Sequence, residues 1–140
     1  MRDSPQTDLR VVPAQGMDGA PPPLLDHALM DDLRRRLGAY AFEELYEDAV
    51  FEITERLAAI EAAMKRRAHA RVATLAEKLS ADAKSIGFAR CAAIAQLLSK
   101  RISMGNIGEA PRLADRLISV GEDSLIRFAS VVGARWRDSS

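Results

Sequence analysis

The chain has 140 residues, enough for one domain with a buried core, and 48% of them are hydrophobic against 29% charged. Its 20 basic residues balance its 20 acidic ones, so overall charge gives no reason to expect nucleic acid or a membrane surface as partner. A single cysteine, Cys91, excludes an internal disulfide and fits a reducing compartment, and no apolar run approaches the roughly 20 residues of a membrane span.

The first stretch, MRDSPQTDLRVVPAQ, lacks the apolar core of a signal peptide, which makes a cytoplasmic location the expectation. Pro13, Gly16, Gly19 and Pro21 to Pro23 then mark residues 1–24 as a flexible leader. Beyond it the chain is helical by period. Asp26 can cap a short helix that carries Leu29, Met30, Leu33 and Leu37 on one face and stops at Gly38. A long helix over residues 40–67 places Phe42, Leu45, Tyr46, Ala49, Ile53, Leu57, Ile60 and Met64 at spacings of three and four. Its charges run from acidic at the start to basic at the end, as the helix dipole favours.

A third helix, residues 69–86, turns Val72, Leu75, Leu79, Ala83 and Ile86 inward and stops at Gly87. A fourth, residues 89–103, points Ile94, Leu97, Leu98 and Ile102 at the core. The run MGNIGEAP breaks the chain, and Pro111 suits the first turn of a last helix carrying Leu113, Leu117, Val120, Leu125, Phe128, Val131 and Val132. Gly121 is expected to bend or weaken that helix. Residues 134–140, with Trp136, read as a frayed tail. No alternating strand pattern is present, so the expected fold is all-α: an antiparallel up-and-down four-helix bundle over residues 25–133, with the short first helix as a lid.

Chemistry is harder to find. His27 and His69 have no metal-ligand neighbours at helical spacing, so no metal or cofactor is expected. Cys91, near a helix start, reads either as an activated thiol or as a small core residue. No phosphate-binding glycine loop, nucleophile elbow or zinc-protease motif occurs. The adjacent carboxylates Glu43/Glu44 and Glu47/Asp48 diverge by about 100° on a helix and do not pair for acid–base work. The basic run MKRRAHAR lacks interleaved aromatics and reads as a helix end.

The third helix holds a further pattern. In EKLSADAKSIG, Glu77 precedes Leu79, Ala81, Ala83, Ser85 and Ile86, and Gly87 stands ten residues on. This resembles the signature of histidine phosphotransfer (HPt) domains, helical bundles in which a phospho-accepting His on an exposed helix face is followed by an apolar residue, Lys, small residues and a Gly. The upstream run from Leu33 to Met64 also looks like that family's. Where the family has His, this chain has Glu77; where it usually has Lys, this chain has Ser80; and Asp82 replaces a small residue. No register makes His27 or His69 fit the pattern.

The resemblance implies a non-enzymatic domain that kept the scaffold and lost the phosphoacceptor. Imidazole nitrogen attacks a phosphoryl group, whereas a carboxylate would form an acyl phosphate that nothing nearby stabilises, and Ser80 cannot neutralise phosphoryl charge as Lys does. The implied partners are the receiver domain of a response regulator or a histidine kinase, met by a face comprising Ala73, Glu77, Ser80, Ala81, Lys84, Phe88, Gln96 and Ser99. Phe88 reads either as an apolar anchor for the partner or as a packing residue. Glu77 reads either as part of that face or as a solvated surface charge. Two other functions stand beside this one: a helical dimerisation or scaffold module built on the long helix, and an active phosphotransferase using His69. Both a monomer and a homodimer fit the sequence.

Overall fold

The computed structural model describes residues 21–132; the leader as read over residues 1–20, and the tail with Trp136, lie outside the described residues. The described regular structure is helical: α1 (His27–Leu37), α2 (Ala39–Lys65), α3 (His69–Ser85), α4 (Ala89–Ser103), a single 3-10 turn (Ile107–Glu109) and α5 (Ala110–Val131). No strand occurs among the described residues, and none of these helices is long and apolar enough to cross a membrane. The Asp26 side chain caps α1, accepting from the Leu29 amide at 3.1 Å. Pro111 sits in the first turn of α5, where its missing N–H would have had no helical partner.

The helices pack together in a ring of neighbours, α2 on α3, α3 on α4, α4 on α5 and α5 back on α2, with α1 against α2. Three short turns make the ring, and all three are one motif. In each, a residue in left-handed conformation sends its N–H back three residues, and the next residue sends its N–H back five, satisfying carbonyls the helix end would leave unpaired. After α2 the bonds are Arg67 to Met64 (3.0 Å) and Ala68 to Ala63 (2.9 Å). After α3 they are Gly87 to Lys84 (3.3 Å) and Phe88 to Ala83 (2.9 Å), and after α4, Gly105 to Ile102 (3.0 Å) and Asn106 to Arg101 (2.8 Å).

The core takes Phe42, Tyr46, Ile53, Leu57 and Ile60 from α2, Val72, Leu75, Leu79 and Ala83 from α3, Cys91, Ile94, Leu98 and Ile102 from α4, and Leu117 and Phe128 from α5. Ile86 and Phe88, from the turn between α3 and α4, are buried with them. Three residues of the expected apolar faces are not inside, Leu37 in the last turn of α1 being 44% exposed. Leu45 is 38% exposed and Leu97 36%, because each lies about 100° round its helix from a buried neighbour, Tyr46 and Leu98. At the end of α2, Ala63 is the fully buried residue and Met64 is half-buried. The α5 helix runs unbroken through Gly121, which is buried where α5 crosses α2; a Cβ there would fall 2.6 Å from Leu57 Cδ1. That glycine serves a close crossing rather than a bend.

Aromatic rings gather at one end of the core. The Tyr46 ring lies 4.3 Å from that of Phe42 and stacks on Phe128 at 4.8 Å, and Phe128 meets Phe88 at 5.9 Å. The buried Tyr46 hydroxyl donates to the Ile86 carbonyl at 2.6 Å, tying α2 to the end of α3. Burial, and secondarily the Asp26 carboxylate, push this phenol well above the usual tyrosine range. Burial likewise pushes the Cys91 thiol from an ordinary 9.0 up to about 12, so Cys91 is a core residue and not an activated nucleophile.

Two outcomes follow from these buried groups. Tyr46→Phe leaves the Ile86 carbonyl without this donor and lowers stability by about 1–2 kcal/mol, read as a shifted urea midpoint at unchanged slope. Cys91 and Tyr46 both hold their protons more tightly folded than unfolded. Their contribution is complete at neutral pH; that of Cys91 is lost as pH rises from 9.0 to about 12, and that of Tyr46 begins to fall above 10.0 and goes on falling past that window, so the unfolding free energy drops throughout. Over the same range a thiol reagent labels the native chain far more slowly than the urea-unfolded chain.

Candidate functional site

The outward face of α3 carries Ala73, Glu77, Ala81 and Lys84 at spacings of four, four and three, which stacks them in one stripe. Ala73 is half-buried, and the other three are exposed. The stripe stays clear of the core because α3 buries its opposite side, Val72, Leu75, Ala76, Leu79 and Ala83. Glu77 stands near its middle, flanked one turn away on either side by alanine. It borders a groove of about 450 Å³ that Ala73 and His69 line on the α3 side and Ser99 and Ser103 on the α4 side. Gln96 is exposed on α4, one turn from Ala92 and one from Ser99, on the face turned towards α3. Of the residues expected to form one surface, Ala73, Glu77, Ala81, Lys84, Gln96 and Ser99 are therefore accessible along α3 and α4.

Two expected members behave differently. Phe88 is fully buried, its ring against Phe128 and its amide bonded to Ala83, so it cannot anchor a partner. The reason lies in its position just after the left-handed Gly87, where the turn habitually sends an apolar side chain back onto the helix it ends. Ser80 is half-buried and its hydroxyl donates to the Ala92 carbonyl at 2.9 Å, fastening α3 to α4. Its donor is thereby committed within the chain.

Asp82, the departure from small-residue spacing, has a partner the sequence did not disclose. Its carboxylate meets Arg56 of α2, which also reaches Glu52 at 3.4 Å. Arg56 is 23% exposed, so the pair stitches α2 to α3 at a half-covered site. Nothing in the amphipathic period of either helix selects this pairing, since it joins residues 26 apart.

Chemically, the face offers one carboxylate among methyl groups, with a lysine two turns further along. His69 is half-buried at the first position of α3, two helical turns or about 12 Å along the axis from Glu77. Exposed His27 begins α1 and does not line the groove. Among the described residues no three of His, Cys, Asp and Glu are grouped to hold a metal ion. The arrangement is one that a flat partner surface can approach closely, with Glu77 supplying a single negative charge. No protein-family model, curated protein or solved structure matches this chain.

Proposed function

We propose that the chain is an HPt-like protein without the phosphoacceptor, in which α2 to α5 form an up-and-down four-helix bundle with α1 as its lid. It docks a receiver domain or a histidine-kinase domain through the α3–α4 face around Glu77, and it carries no phosphate. The observation that carries this reading is the outward stripe of half-buried Ala73 and exposed Glu77, Ala81 and Lys84, which a left-handed Gly87 ends ten residues after Glu77. The ring of helix neighbours is compatible with the bundle. Small side chains let a partner's backbone come close, and a carboxylate at their centre supplies part of the charge of a phosphoryl group, about −1 against roughly −1.5 to −2. Binding there would occupy a partner without drawing phosphate from it.

A dimerisation module is the second reading, and it has an observation of its own. Tyr40 and Phe51 of α2 and Ile126 of α5 are 75%, 67% and 70% exposed, apolar side chains on the two helices away from the Glu77 stripe. Calorimetric titration with receiver and kinase domains from the same organism separates the two. Docking through α3 predicts that Glu77→Arg and Ala81→Trp weaken binding at least about tenfold while Phe51→Glu leaves it unchanged. Absence of binding to every such domain, together with a light-scattering dimer that Phe51→Glu dissociates, would establish the scaffold reading instead.

A further inference from the structure

Around the ring of helices, α2 and α5 touch less than any other neighbouring pair, and between them lies a groove of about 400 Å³. Tyr46 and Val50 of α2 and Leu125, Phe128 and Val132 of α5 give it apolar walls. Its charged lining is of one sign. Glu43 and Glu47 stand there, both exposed and neither in an ion pair among the described residues. An occupant that fits brings a large apolar group for the walls and positive charge for the two carboxylates.

The chain itself runs on towards such an occupant. Tyr46 stacks on Phe128 and Gly121 lies against Leu57, so residue numbers rise along α5 as they fall along α2. The two helices are therefore antiparallel, and the end of α5 lies beside the start of α2. On α5 the lining residues Leu125, Phe128, Ala129 and Val132 recur at helical spacings, and Val132 keeps helical dihedrals, φ −60° and ψ −47°. The next places in that row belong to Arg135 and Trp136. On α2 the row of Val50, Glu47 and Glu43 runs on to Tyr40, which is 75% exposed. Arg135 and Arg137 flank Trp136 directly, and Asp138 follows them. Residues 1–20 also carry arginines but contain no aromatic residue to fill the walls. We propose that the groove between α2 and α5 is the docking site of the chain's own residues 133–140, with the Trp136 indole against Tyr40, Phe42 and Val132 and its flanking arginines on Glu43 and Glu47. The segment straps α5 to α2 where their own packing is slightest, and it rests on neither function proposed above.

Trp136 is the sole tryptophan of the sequence and reports on its own surroundings. Its emission maximum and its quenching by acrylamide are read in the full chain, native and urea-unfolded. The native chain is expected to emit to the blue of the unfolded one and to resist the quencher, as a ring held in an apolar groove does. Two surface variants test the place. Ala129→Arg puts a cation on an exposed lining position, and Glu43→Lys with Glu47→Lys reverses the charge of the groove. Each should move emission and quenching to the unfolded values while helical circular dichroism stays as in the wild type. A wild-type indole as exposed as in the unfolded chain would overturn the proposal. So would protection that survives either variant, which places the indole elsewhere, or protection lost on dilution, which places it in a second copy.

Discussion

The turn between α3 and α4 is the point to which the rest of the molecule is fastened. Its Gly87 carbonyl accepts the Asp26 amide at 2.7 Å, which seats the start of α1, and its Ile86 carbonyl takes the Tyr46 hydroxyl from α2. Phe88 enters the aromatic cluster that α2 and α5 complete. Position 87 tolerates little but glycine on two grounds. The backbone is left-handed there, and a Cβ would lie 3.1 Å from the Asp26 carbonyl oxygen and 3.3 Å from Met30 Cγ. Three helices, α1, α2 and α5, thus meet the turn that joins α3 to α4 within a few residues, and the rotation of α3 about its own axis is set by it. That rotation decides which residues face outward, and so it decides that Glu77 does.

From that constraint the character of the α3 face follows. Its inward side is the heptad-like series Val72, Leu75, Ala76, Leu79 and Ala83, and its outer stripe is made largely of small side chains. Ser80 and Asp82, at its borders, are committed to Ala92 and Arg56 and hold the helix rather than present chemistry. What remains accessible is a carboxylate set in alanines. Such a surface suits recognition by shape. The turn after α2 differs from its two sisters in keeping Arg67 at the left-handed position where they use glycine.

Much of this was legible in the sequence because the signals are local. Asp26 as a cap, the glycine after residue 86 and Pro111 at the head of α5 each act through neighbours a few residues away, and α4 begins and ends where its period and flanking turns place it. The stripe through Glu77 was legible for the same reason, being a matter of spacing along one helix. Less legible was anything that depends on which helix lies opposite. The period could not tell that Leu97 sits at the margin of the α4 seam while Cys91 and Ala95 fill it, or that Gly121 is there for Leu57. The sequence left Phe88 open between an anchor and a packing residue, and the turn geometry decides for packing. The Arg56–Asp82 pair and the Ser80 hydroxyl contact join separate helices and leave no trace in either period.

On the proposed reading, Glu77 stands where an HPt domain would carry its phospho-accepting histidine. The most direct measurement is uptake of acid-labile phosphate from a panel of phosphorylated receiver domains by the wild-type chain and by Glu77→His. No uptake is expected on the wild type, and transfer is expected to Glu77→His from the donor that binds it, since the substitution puts a nucleophilic nitrogen where the proposed family carries one. Phosphate on the wild-type chain would contradict it. So would a Glu77→His variant that folds as the wild type does, binds the donor and still accepts nothing.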